Sequence, residues 1–178
     1  MQKPLFKLER KIDEILRVNH AGEYGAKMIY LGQLSSIKNK KDHEEIKHMY
    51  KQELLHLKYF EKALLKRNNR PSIYMPLWHL GGYLLGKISA KMGVKQAMVC
   101  TDAVEEVINK HYEKQKIFLI DHPTEKPLFE AIHQFQFEEQ SHQNIAQKHI
   151  DTLSLKDRIL YNVISKICKI AIFASKKL

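Results

Sequence analysis

Long apolar runs are missing from this sequence. No stretch of about 18 uncharged apolar residues occurs, which argues against a bilayer-spanning helix. Cysteine is scarce as well: Cys100 and Cys168 stand far apart and outside any Cys-x-x-Cys spacing. Neither a disulfide framework nor a thiolate zinc site is expected, and a reducing compartment is the default. Glycine (7) and proline (5) are few, and strand-like alternation of apolar and polar residues is hard to find. Those shortages disfavour a turn-rich β fold and leave a mainly helical one. The N-terminal MQKPLFK lacks the apolar core of a signal peptide, and helical periodicity starts at Leu8, so the chain reads as untargeted or already processed.

What is present suits one folded unit spanning residues 1–178: the chain is 44% hydrophobic and long enough for a substantial core. Lys and Arg number 30 against 20 Asp and Glu, a net charge of +10. Such an excess favours an anionic partner, either nucleic acid or a membrane surface. The lysines are dispersed and no nucleic-acid motif appears, which weighs against the first.

Periodicity predicts four long helices. The first runs from about Leu8 to Ser36, with an inward stripe of Ile12, Leu16, Asn19, Glu23, Ala26, Tyr30 and Leu34. The second runs from about His43 to Lys66, with Ile46, Met49, Leu57, Phe60 and Leu64, and RNNRP stops it. The third, about Val94 to Ile120, carries Met98, Thr101, Glu105, Ile108, Tyr112, Gln115 and Leu119. The fourth, about Pro127 to Leu153, carries Leu128, Ile132, Phe135, Glu139, His142, Ala146 and His149. Between the second and third lies the apolar MPLWHLGGYLLGKISAKMG, a helix from near Pro76. A last helix, Leu155 to Ser175, is capped by Ser154 with Asp157; it sets Ile159, Val163, Ile167, Ile170 and Phe173 against Lys156, Arg158, Lys166 and Lys169.

Some stripe residues are out of place. In YKQELLHLKYF, Glu53 and His56 occupy positions where the 3.6-residue period asks for Leu or Val, and an unpaired buried carboxylate costs several kcal/mol or more. Glu23, Glu105, Glu139 and His142 repeat the anomaly. Glu53 follows Glu23 by 30 positions and Glu139 follows Glu105 by 34, and each second Glu has His at i+3. One Glu-x-x-His is weak, because such a pair is common on a solvated face. Two of them alternating with two buried glutamates form the ligand set of a ferritin-like di-iron carboxylate bundle. Four carboxylates balance two divalent cations, and oxygen-rich ligands with one imidazole per metal suit Fe(II) or Mn(II). Among doubled acids Glu105 is preferred over Glu106, which points about 100° away, and Glu139 over Glu138, whose i+3 residue is Ser141. His20 and His149 read as ordinary polar residues near helix ends or surfaces. No G-x-G-x-x-G follows a strand, so a dinucleotide fold is not expected.

The flanking residues go further. RVNHAGEYGA around Glu23, QELLHLKYF around Glu53, MPLWHLGGYLLG, AVEEVINKHY around Glu105 and FEEQSH around Glu139 resemble, in that order, the demethoxyubiquinone hydroxylase family of ubiquinone biosynthesis. The resemblance covers about Leu16 to Leu178. It implies an all-α, ferritin-like four-helix bundle with additional membrane-associating helices. It also implies a monooxygenase adding a hydroxyl to the ring of demethoxyubiquinol in the penultimate step of ubiquinone biosynthesis. Glu23, Glu53, His56, Glu105, Glu139 and His142 fall on the family's ligands for two iron ions per chain, Glu53 and Glu139 being the bridging pair. O2 would be the co-substrate, and NADH or the reduced quinone the source of electrons.

A polyprenyl quinone stays in the bilayer, so an enzyme without a spanning helix is expected on the membrane surface, through Met75 to Met92 and the last basic helix. Lys87 and Lys91 depart from a uniformly apolar segment and argue against deep insertion. The cytoplasmic face of a bacterial cell membrane is the expected place, with the matrix side of the mitochondrial inner membrane as the alternative. A homo-oligomer is compatible with the sequence, and so is a partner protein of ubiquinone biosynthesis; the resemblance implies a lipid-binding partner for mitochondrial relatives. Rival readings are another ferritin-like oxidase or ferroxidase, or a basic helical module binding nucleic acid or membrane.

Overall fold

The computed structural model describes residues 2–177, with side chains described for 6–176. Among them there are six α-helices and no strand: α1 (Gln2–Leu34), α2 (Lys40–Lys66), α3 (Met75–Met92), α4 (Val94–Ile120), α5 (Lys126–Gln147) and α6 (Leu155–Lys177). No described helix is long and apolar enough to cross a membrane.

Local chemistry sets the ends. Asn39 caps α2 by accepting from the amides of Lys41 and Asp42 at 3.0 and 3.2 Å. Asn68 takes φ 51°, a left-handed conformation that Asn tolerates, and so closes α2 within the expected turn. Pro76 sits in the first turn of α3. Gly93 has φ 134°, which lets α4 begin one residue after α3 ends. Ser154 and Asp157 form the expected reciprocal cap of α6, the Asp157 amide donating to Ser154 Oγ at 3.2 Å and the Ser154 amide to Asp157 Oδ2 at 3.0 Å. Asp157 also meets Lys95 Nζ at 2.9 Å and Gln96 Nε2 at 3.1 Å, tying the start of α6 to the start of α4.

The helices pack as two hairpins, α1 with α2 and α4 with α5, closed by α1 against α4 and α2 against α5. Ile12, Leu16, Phe60, Leu64, Tyr112, Leu119 and Ile132 fill one end of the bundle, and Ala26, Tyr30, Ile46, Met49, Met98 and Ala146 the other. The polar cluster lies between them. A further layer, α3 and α6, covers α1 and α4 through Ile29, Val104 and Ile164, with Leu85, Leu160 and Cys168 against them. Glycine allows α3 to touch α1: a Cβ on Gly86 would lie 1.9 Å from the carbonyl oxygen of Ile29, and one on Gly32 2.2 Å from that of Tyr83.

Two expectations change. The fourth long helix ends at Gln147, not near Leu153, because the amides of His149 and Ile150 turn back to Ala146 and Gln147 in tighter three-residue bonds. His149 therefore lies beyond the helix, half-buried, with Nε2 2.7 Å from Glu45. His20 is buried, not superficial, because α1 is covered on more than one side. The stripe Ile159, Val163, Ile167, Ile170 and Phe173 is 46–66% exposed, the apolar face expected to stay outward, while Ile164 on the other side of α6 carries the packing. Leu77, Leu80, Leu84 and Ile88 of α3 are likewise 44–60% exposed. Both cysteines are free thiols, and burial pushes each up to about 12, so they are poor nucleophiles at neutral pH.

Candidate metal centre

The hairpins bring one anomalous face from each of four helices to a common point. Glu23 comes from α1, Glu53 and His56 from α2, Glu105 from α4, and Glu139 and His142 from α5, and every one of them is buried. They form two overlapping groups. In the first, ligand-type atoms of Glu23, Glu53, His56 and Glu139 all lie within 4.8 Å of one another; in the second, those of Glu53, Glu105, Glu139 and His142 do. That spread suits donors around one cation held at roughly 2 Å from each. Glu53 and Glu139 belong to both groups.

The donor atoms are unsatisfied as they stand. Neither oxygen of Glu53 has a hydrogen-bond partner, and Oε2 of Glu23 and Oε2 of Glu105 also have none. A buried, unpaired carboxylate oxygen is costly, and four carboxylates facing one another multiply that cost. Two divalent cations among these oxygens would saturate them and cancel their charge, so the residues fit a di-metal site on their own chemistry.

The metal-free electrostatics point the same way. Burial, reinforced by Glu139, Glu23 and Glu105, pushes the Glu53 carboxyl well above the usual range; burial and Glu139 do the same to Glu105. Burial also opposes ionisation of Glu139, but hydrogen bonds from His142 and His56 override it and hold that carboxyl at about 2. Burial works against protonating His56, yet Glu139 and Glu23 at 3.0 and 3.4 Å from Nδ1 raise it to about 12.

The doubled acids separate cleanly. Glu106 turns to the surface and pairs with Lys110, while Glu138 lies at the rim against His56 Nε2 at 2.8 Å. Neither belongs to a ligand group.

Comparison with known proteins agrees with this chemistry. The family model described as "Ubiquinone biosynthesis protein COQ7" matches residues 10–175. The chain belongs to the COQ7 family. A bovine relative, "NADPH-dependent 3-demethoxyubiquinone 3-hydroxylase, mitochondrial", is 39% identical over 169 residues, covering 94% of this chain and 78% of the relative. "3-demethoxyubiquinol 3-hydroxylase" of Rhodospirillum rubrum is 38% identical over 167 residues, 93% and 78% of the two chains. The yeast "5-demethoxyubiquinone hydroxylase, mitochondrial" is 34% identical over 182 residues, 94% and 78%.

This COQ7 chain adds partners that its periodicity did not announce. Tyr30 of α1 donates its hydroxyl to Glu105 of α4 at 2.7 Å, and Tyr112 of α4 donates to Glu23 of α1. Each tyrosine stands seven residues after one glutamate and serves the other. Asn19 and Gln115, four residues before Glu23 and three after Tyr112, exchange two side-chain amide bonds of 2.9 and 2.8 Å. From the sequence Tyr112 shares the face of Glu105, which makes it either a support for that glutamate or an ordinary buried tyrosine with a satisfied hydroxyl; its actual partner, Glu23 on the opposite helix, is not in the spacing. Phe135 lies against the His56 ring, centroids 4.1 Å apart, closing the apolar side of the site.

Proposed function

We propose that this COQ7 chain is a 3-demethoxyubiquinol 3-hydroxylase, inserting one oxygen atom of O2 into a ring C–H bond of a polyprenyl quinol late in ubiquinone biosynthesis. The observation that carries the reading is Glu53, buried in the bundle with neither oxygen hydrogen-bonded, inside two overlapping Glu/His groups of a COQ7-family chain. Glu23 and His56 would hold one iron, Glu105 and His142 the other, and Glu53 and Glu139 would bridge. Bound there, iron supplies the reduction of O2, one atom leaving as water, with two electrons from NAD(P)H or the quinol itself.

The protein's part is arrangement. The Tyr30 and Tyr112 hydroxyls fix the two unshared carboxylates, each leaving one oxygen free to bind. Phe60 and Phe135 pack at 5.6 Å beside His56 and keep water from that side. The exposed stripes Leu77, Leu80, Leu84 and Ile88 on α3 and Ile159, Val163, Ile167 and Ile170 on α6 support surface attachment to the bilayer that holds the substrate. Lys87, stacked over Tyr83 at 5.5 Å, and Lys91 provide a cationic rim on α3. A groove of about 560 Å³ lined by Met28, Leu31, Leu80 and Tyr83 offers room beside it for part of an isoprenoid tail. The setting we favour is the cytoplasmic face of a bacterial membrane.

The test is anaerobic reconstitution with Fe(II), followed by O2 and a short-chain demethoxyubiquinol. The reading requires two irons per chain and product formed in step with O2 consumption. Glu105→Ala should lose both iron and turnover, and Glu106→Ala should keep both. Quinol-independent O2 consumption with ferric mineral would make the chain a ferroxidase instead.

A further inference from the structure

Beyond the six inward residues, the structure contains a second ring of contacts around the two histidines. Gln52 immediately precedes Glu53, and Glu138 immediately precedes Glu139. Each reaches across to the opposite helix. Glu138 Oε2 of α5 lies 2.8 Å from His56 Nε2 of α2, and Gln52 Oε1 of α2 lies 3.0 Å from His142 Nε2 of α5. Gln52 Nε2 then donates to the same Glu138 Oε2 at 3.3 Å, joining the two arms into one chain, His142–Gln52–Glu138–His56.

That chain has one consistent direction. A carboxylate only accepts, so Glu138 fixes Gln52 with its NH2 toward α5 and hence its carbonyl oxygen toward His142. His142 must then donate from Nε2, and His56 must donate from Nε2 to Glu138. With both Nε2 protons held in this way, a cation that displaces the Nδ1 protons from Glu139 finds a Nδ1 lone pair on each ring. In both, Nδ1 is the atom turned to the glutamate cluster: 3.0 Å from Glu139 Oε1 for His56, and 2.8 Å from Glu139 Oε2 for His142. The tautomer that binds a metal is the one the rim dictates.

We propose that Gln52 and Glu138 are positioning residues that aim the two imidazoles and make the two metal positions unlike, the His56 position taking the first divalent cation. The proposal rests on the ligand assignment above. Its physical basis is that the two histidines have different backing. His56 donates to a carboxylate, a charge-assisted bond roughly twice as strong as a neutral one, which makes Nδ1 the better electron donor; His142 donates to a neutral amide. Glu138 also brings a negative charge to the His56 side without itself entering a ligand group. The two halves of the site match in their inner ligands and differ in this outer pair.

The test is stepwise titration of the metal-free full-length chain with Co(II), followed by its d–d absorption and by calorimetry. Wild type should take up two Co(II) in two resolved steps. Glu138→Gln should weaken the first step by about 10–100-fold and draw the two together. The exchange Gln52→Glu with Glu138→Gln restores one carboxylate and one amide, now behind the opposite histidines, and should separate the steps again. A merely structural rim would not give that rescue. If Glu138→Gln is folded and both steps are unchanged, or if the exchange leaves the steps merged, the proposal is overturned while the ligand assignment stands. If folded wild type binds no Co(II), the ligand assignment falls, and the proposal with it.

Discussion

Replacing Glu53 by methionine should stabilise the metal-free protein, the opposite of what such an exchange does at a structural glutamate. Glu53 is 1% exposed, receives no hydrogen bond, and has its carboxyl pushed up by burial and by three neighbouring glutamates. Methionine has nearly the same length and a flexible thioether that fills irregular space. Removing one buried, unsatisfied polar group relieves about 1–3 kcal/mol, from which the loss of the 3.3 Å contact with His142 must be subtracted. A net gain of about 1 kcal/mol is expected, which for a domain of this size raises the melting temperature by roughly 2–4 °C. The assay is urea and thermal unfolding in the presence of chelator. With Fe(II) or Mn(II) added, wild type should gain stability by mass action and the variant should gain much less. A folded Glu53→Met that loses about 1 kcal/mol or more under chelator would mean Glu53 is a satisfied structural residue, and the metal reading would lose its main support.

Gly86→Ala should destabilise by about 3 kcal/mol, the upper range for overpacking, because its Cβ would meet the Ile29 carbonyl at 1.9 Å and force α3 off α1. Gly81→Ala, with nothing within 4 Å, is the control and should be neutral or stabilising by about 0.5 kcal/mol in thermal melts; equal losses at both positions would refute the close approach. His111 supplies a pH test: burial first, then Lys176, Lys11 and Lys114, hold its imidazole down at about 4. The unfolded chain, with its histidine near 6.5, binds the proton first as pH falls, so this contribution is complete above about pH 6.5 and is lost progressively toward pH 4. The full loss is about 3 kcal/mol. His111→Gln should flatten that part of the stability–pH curve measured under chelator, and an unchanged slope would show that His111 titrates normally.

Much of the arrangement was legible because the same residues violate one rule in four places. Glu23, Glu53, Glu105 and Glu139 fall on stripes that otherwise bury Ile, Leu and Phe, and the two histidines sit one turn further on. The bounds of α4 were legible too, since Gly93 and Asp121 flank an unbroken period. The end of α5 was not: Ile150 and Leu153 continue the apolar pattern, while three-residue bonds at Lys148–Ile150 close the helix. For α6 the outward apolar stripe was legible, but not the second apolar side by which the helix packs. Leu160, Ile164 and Cys168 share the spacing of Ile159, Val163 and Ile167, and only the presence of α1 and α4 decides which set is covered. The tyrosine and amide partners depend on which helix lies opposite, information that no single-helix period contains.

That dependence on the opposite helix constrains how the site can form. Neither hairpin contains a self-sufficient half. Glu23 of the first is held by Tyr112 of the second, Glu105 of the second by Tyr30 of the first, and Asn19 and Gln115 bond only to each other across the gap. Each Glu/His group also crosses the gap: the first needs Glu139 from α5, the second Glu53 from α2. A cation entering either group therefore bonds to both hairpins at once, and its binding free energy becomes docking free energy between them. Without the cation, the same interface sets four carboxyl groups together, with His56, raised to about 12, as a compensating positive charge. The metal-dependent part of the stability should thus reside in the contact between hairpins more than in either one, with hydrogen exchange under chelator rising first at Glu53 and Glu139 and last at the apolar ends built on Phe60 and Met98.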